Sequence, residues 1–102
     1  MYKVMIDSKA EQDLVEIFLY ITETLKAPDT ARRLYSKIKK GISGLSSMPH
    51  RCALIGEEPY KQLGVRKLLI ENYIAFSLVD ETSQEVHVFR ILYNHREWHN
   101  LI

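Results

Sequence analysis

Cysteine occurs once in this chain of 102 residues, at Cys52. One thiol excludes an internal disulfide framework and suits a reducing cytoplasm, which is the expected location. No stretch approaches the ~18 consecutive apolar residues of a membrane-spanning helix, so no membrane partner is expected. The opening "MYKVMIDSKAEQD" is broken by Lys3, Asp7 and Lys9 and offers no apolar core for a signal peptide. Proline (three) and glycine (four) are too scarce for a fibrous or low-complexity chain. Repeats and linkers are missing, and the length suits one domain, 1–102. Net charge is only +1, so total charge does not select a polyanionic partner.

What is present is ordinary in amount and informative in order. A hydrophobic fraction of 46% beside 26% charged residues is that of a globular domain able to bury a core. "YKVMI" reads as a first strand. Ser8 with Glu11 three residues on is a capping-box pattern that opens a helix. Leu14, Ile17, Phe18, Ile21 and Leu25 continue at helical spacing. Pro28 suits the first turn of a second helix. Its apolar stripe is Ala31, Leu34, Ile38, Ile42, Leu45 and Met48, with Gly41 and Gly44 weakening the last turns. Two long helices joined by a few residues predict an antiparallel hairpin.

The period then changes to that of strands. "YKQLGVRKLLI", "NYIAFSLV" and "EVHVFRILY" are separated by "EN" and "DETSQE", both turn-forming. Short connections predict a three-strand antiparallel meander. The expected fold class is α+β: an N-terminal strand, a two-helix hairpin, the meander forming one sheet against the helices, and a short C-terminal helical turn. Alternation puts Arg66, Leu68 and Ile70 on one face, opposite Val65, Lys67 and Leu69. The same rule groups Val86, Val88, Arg90 and Leu92, opposite His87, Phe89, Ile91 and Tyr93.

Between Thr30 and Gly56 there is no acidic residue, while Arg32, Arg33, Lys37, Lys39, Lys40 and Arg51 fall there. Such a window is either a solvated helix face or a surface for phosphate or an acidic protein. Arg90 interrupts an apolar strand. It either pairs with a carboxylate such as Glu71 or Glu97, or is a cation held for phosphate. In "RILYNHREWHNLI", His95 and His99 stand four apart, but Glu97 fits neither H-E-x-x-H nor H-x-x-E-H. His50 and His87 add no ligand spacing, so no metal and no cofactor are expected.

The ordered segments "AEQDLVEIFLYI", "TARRLYSKIKKGISGLSSMP", "LGVRKLLIENYIAFSLV" and "VFRILYNHREWHNLI" together resemble the RelE/ParE superfamily. These are the toxins of bacterial type II toxin–antitoxin, or plasmid stabilisation, modules. The resemblance spans nearly the whole chain. It implies a cognate antitoxin as partner and one of two targets. RelE-like members cut messenger RNA on the ribosome. ParE-like members bind and poison DNA gyrase without a nuclease site.

For RNA cleavage a 2′-hydroxyl attacks the neighbouring phosphorus and the 5′-oxygen leaves, with no metal needed if a base, an acid and cations are in place. The resemblance then implies Arg66, Arg90, His95 and Arg96 as catalytic candidates, converging on one concave surface. Lys67, Tyr73, Tyr93 and Trp98 would contact the substrate, Trp98 either by stacking on a base or as a plug over the sheet. The gyrase alternative draws on the helix hairpin and the basic second helix. It draws also on Tyr73-Ile74, where the nucleases carry Tyr-Arg, on Leu68, where they carry a lysine, and on a tail with no tyrosine after Tyr93. A third alternative is an inactive remnant that only binds its antitoxin.

Overall fold

The structure, a computed structural model, describes residues 1–95, 98, 99, 101 and 102. Strand β1 (Lys3–Ile6) leads into helix α1 (Ser8–Leu19), which runs on through a π-helical turn at Tyr20–Thr24. Helix α2 (Pro28–Ser43) follows, with Pro28 in its first turn as expected. Strand β2 (Ala53–Leu54) and helix α3 (Tyr60–Leu63) precede the meander β3 (Arg66–Ile70), β4 (Tyr73–Asp80) and β5 (Glu85–Tyr93). The sheet order is β1-β5-β4-β3-β2, with β1 parallel to β5 and the other pairs antiparallel.

The α+β architecture is the one expected, with four local corrections. The segment "YKQLGVRKLLI" is not one strand. Tyr60–Leu63 is a helical turn, Gly64 ends it at φ 76°, and the strand starts at Arg66. Gly64 is the residue type that adopts this left-handed conformation without strain. Next, α1 is preceded by Asp7 with no side-chain cap, and Glu11 bonds instead to Lys39 of α2 at 3.1 Å. Met48 lies beyond the last helical turn and is exposed, whereas Ala31, Leu34, Ile38, Ile42 and Leu45 are buried.

The fourth correction concerns β5. Phe76 pairs with Arg90 and Ser77 with Val88, so Phe89 is an extra residue in a β-bulge. A bulge reverses the facing of every residue after it. Val86 and Val88 join the helix-side core, and so does Ile91; Leu92 faces the other way.

Each sheet face thus carries its own core. On one side α1 and α2 cover Ile70, Ala75, Val86, Val88 and Ile91, with Leu14, Ile38 and Ile42 packed on them. Phe18 and Tyr35 meet edge to face at 5.9 Å between the helices. On the other side lie Ile55, Val65, Ile74, Phe76 and Leu92, closed over by Tyr60, Trp98, Leu101 and Ile102. The tail makes a turn, with Leu101 N donating to the Trp98 carbonyl at 2.9 Å.

Candidate functional site

β1 stops at Ile6, opposite Val88, so β5 beyond that point has no neighbouring strand on that side among the described residues. Asp13 of α1 takes the place of that strand. Its carboxylate accepts the Ile91 backbone N–H at 3.0 Å. The same carboxylate receives Arg90 Nε at 2.7 Å and Nη2 at 3.1 Å. Arg90 Nη1 donates to the Leu101 carbonyl at 2.6 Å. The pair is enclosed: the side chains are 13% and 5% exposed for Arg90 and Asp13. Arg90 therefore ties α1, the sheet edge and the tail together. A two-pronged arginine–carboxylate contact is among the strong ion-pair geometries, and breaking it leaves a buried charge behind.

Asp13 is the partner for Arg90 that was not foreseen. Glu71 is engaged elsewhere, and Glu97 lies outside the described residues. Glu71, in the β3–β4 turn, accepts from Arg33 at 2.6 Å and from Lys37 at 3.1 Å. Those two bonds pull its carboxyl down to about 2. Spacing held a clue to Asp13. It sits beside Leu14 on the stripe Ala10, Leu14, Ile17, Ile21, so an acid was bound to be buried there and to need a cation.

The other catalytic candidates lie apart. Arg66 is on the helix-side face, across from Ser77, and its Nη1 donates to the carbonyls of Cys52 at 2.8 Å and His50 at 3.3 Å. Lys67 is on the opposite face, in a cross-strand row with Ala53, Phe76 and Arg90. His95 lies past the other end of β5, where Tyr93 is paired with Tyr73. There the rings of Tyr73 and Tyr93 are 5.5 Å apart and those of Tyr93 and His95 5.2 Å. Burial raises the Tyr73 hydroxyl above its ordinary value, with smaller contributions from Tyr93 and Tyr20. Arg96 lies outside the described residues. The expected convergence of Arg66, Arg90 and His95 on one surface is not what the fold produces, because register separates Arg66 from His95 along the strands and facing separates it from Lys67.

Trp98 covers Phe76, with ring centres 5.1 Å apart, and leans on Tyr60 at 5.8 Å. His99 stacks on Trp98 at 3.9 Å and bonds Glu57 at 2.9 Å, while Tyr60 Oη donates to the His99 carbonyl at 2.6 Å. The tail is thus a lid over the sheet face that the helices leave open. Among the described residues no group of three or more His, Cys, Asp or Glu is placed to hold a metal. The lone thiol, Cys52, is buried, and desolvation raises its pKa.

The basic window is partly neutralised. Arg32 pairs with Asp29, Arg33 and Lys37 with Glu71, and Lys39 with Glu11. Arg51 Nη2 donates to the Gly41 carbonyl at 2.8 Å, near the end of α2. A cleft of about 600 Å³ opens between the end of α1 and the sheet end, its walls including Tyr20, Leu25, Arg33, Tyr73 and Tyr93.

Comparison with known proteins places this geometry. Among solved structures, the chromosomal ParDE toxin–antitoxin system from P. aeruginosa aligns at a TM-score of 0.73 and 25% identity, over 91% of this chain and 96% of that one. The RelBE2 toxin–antitoxin complex from Mycobacterium tuberculosis aligns at 0.66 with 19% identity, over 90% and 96% of the two chains. The intact E. coli RelBE complex aligns at 0.62 with 15% identity, over 94% and 100%. The last two likenesses concern the fold alone. No curated protein sequence matches the chain. The family described as ParE toxin of type II toxin–antitoxin system, parDE, matches residues 4–98. With that span covering the two long helices and all of the sheet but Lys3, the chain belongs to the ParE family of type II toxin–antitoxin toxins.

Proposed function

We propose that this toxin arrests growth by poisoning DNA gyrase in the cytoplasm, without cutting RNA, and that a cognate antitoxin holds it inactive. The observation that carries the choice of target is the engagement of Arg90 with Asp13 and Leu101. A nuclease of this superfamily needs cations free to meet the charge developing on phosphate. Arg90 has its guanidinium spent inside the protein. Arg66 is two strands away, about 9–10 Å by strand spacing, and faces the helices. His95 is at the far end of the sheet from Arg66. No single phosphate reaches all three.

Two further points favour the same reading. The sheet face opposite the helices is closed by Trp98, Leu101 and Ile102, so a message would have to displace the tail to lie on it. Ile74, where an arginine would stand in a nuclease, is buried in the same core. The RNA-cutting alternative rests on the Tyr73–Tyr93–His95 cluster, which sets an imidazole beside two phenols past the end of β5.

Purified toxin separates the two. Inhibition of gyrase supercoiling, with reporter messages intact in translation extracts, is the expected result. Codon-positioned cuts that vanish in the H95A/R96A variant, with gyrase untouched, would replace the proposal by the nuclease reading.

A further inference from the structure

The charges of this chain are sorted in space. Net charge is only +1, yet no acidic residue falls between Thr30 and Gly56. The fold puts that window on one surface. The side of α2 turned away from the core reads Arg32, Arg33, Ser36, Lys37, Lys40 and Ser43, all exposed. Arg33, Lys37 and Lys40 follow at spacings of four and three, which is one stripe of a helix. The stripe spans about 10 Å of helix axis, close to the screening length of about 8 Å at physiological salt, so its charges act together.

Neutralisation of this face is incomplete. Arg32 pairs with Asp29, and Arg33 and Lys37 share Glu71. Among the described residues Lys40 has no carboxylate partner. Arg51 lies against the last turn of α2, with its Nη2 donating to the Gly41 carbonyl at 2.8 Å. A carbonyl satisfies a donor but leaves the charge whole. Five cations thus face two carboxylates, and the excess is positive. The side chains of Arg33 and Lys37 stay 56% and 57% exposed, so water weakens their pairs and a phosphate can compete for them. Ser36, between them, is a hydroxyl donor of the kind that meets phosphate oxygens. No large apolar side chain is exposed on α2, whereas α1 exposes Val15 and Leu19. A face without an apolar anchor suits a partner held by charge rather than a protein–protein core.

We propose that this face of α2, together with Arg51, binds the phosphate backbone of duplex DNA without reading its sequence. The choice of duplex DNA rests on the gyrase reading above, because gyrase works on a bound duplex and a toxin seated on it lies beside that duplex. The toxin then grips enzyme and substrate together. Each phosphate neutralised releases counterions, so three excess charges predict that log K falls with log salt at a slope of about −2 to −3.

The test is fluorescence anisotropy of a labelled twenty-base-pair duplex titrated with intact toxin at several salt concentrations. The expected result is binding indifferent to base sequence, with that salt slope. Lys40→Glu should weaken it about tenfold and flatten the slope by about one. Lys40→Arg should bind as wild type does. Lys9→Glu changes net charge equally on another surface and should leave affinity within about twofold, which separates a local site from total charge. Lys40 and Lys9 are both exposed, so circular dichroism should be unchanged in all three variants. No binding at low salt, equal binding to Lys40→Glu, or an equal loss in Lys9→Glu would overturn the proposal. So would tighter binding of a single-stranded RNA or a polyglutamate peptide of matched charge. The duplex assay contains no gyrase, so its failure refutes this proposal alone, whereas full supercoiling in the presence of wild-type toxin refutes the gyrase reading.

Discussion

Replacing Asp13 by alanine should be among the most damaging single changes in the chain. The substitution removes three bonds at once, from Arg90 Nε, Arg90 Nη2 and the Ile91 N–H. At 13% exposure Arg90 has little access to water once its partner is gone. Breaking one side of a buried ion pair costs about 3–5 kcal/mol, mostly the penalty of the stranded charge. The Ile91 N–H adds part of a further ~1–3 kcal/mol, less than additively because the same site relaxes. A domain of this size has a total stability of roughly 5–15 kcal/mol, so about 4 kcal/mol is a large share of it. At about 4–8 °C per kcal/mol the melting temperature should fall by roughly 15–30 °C. Urea unfolding of wild type, D13A, R90M and the double variant D13A/R90M gives the cycle. The double variant should be more stable than the two single losses predict, by about 2–3 kcal/mol of coupling, because it strands no charge. A loss below about 1 kcal/mol in D13A, the range of an exposed ion pair, would refute the reasoning: Arg90 would then be solvated and available for other work.

Other perturbations probe separate parts of the account. Trp98→Ala should cost about 2–4 kcal/mol by urea unfolding, near the lower end for a large aromatic because the ring is only partly buried. Glu71→Gln should flatten the acid limb of stability. Its carboxyl is held below the ordinary 4.5, down to about 2, so the contribution is full above 4.5 and lost as pH falls toward 2. Wild type should therefore lose stability across that window more steeply than the variant, in unfolding curves taken at several pH values. Gly44→Ala should raise stability by about 0.5–1 kcal/mol, since the residue is helical and a β-carbon would meet Arg51 at ordinary contact, 3.5 Å. Gly64→Ala should lower it by about 1–2 kcal/mol, from the left-handed backbone alone, as nothing lies within 4 Å of the added carbon.

The element order was legible because the periods of 3.6 and 2 are carried by strong apolar stripes, such as Ala31 to Leu45 and the β4 run. The face assignments on β5 were legible only as far as Val88. A bulge is a feature of pairing, and nothing in "EVHVFRILY" marks Phe89 as the unpaired residue. The short α3 was hidden because "YKQL" has no stripe of its own, although Gly64 after it was a stop signal. Arg90 was recognisable as an anomaly that needed a partner. Which carboxylate would supply it depended on where α1 crosses the sheet edge, a relation between residues 77 positions apart. The same limit applied to the tail: "HREWH" advertises polar chemistry, while the contacts of Trp98 and His99 with Phe76, Tyr60 and Glu57 arise only once the chain folds back.

The most direct measurement of the central claim is a titration of purified toxin into gyrase supercoiling reactions, with primer extension on messages from cells induced in parallel. The account predicts loss of supercoiling, undiminished in H95A/R96A, and messages free of new cuts. Full supercoiling at saturating toxin, together with cuts inside codons that disappear in H95A/R96A, would contradict it.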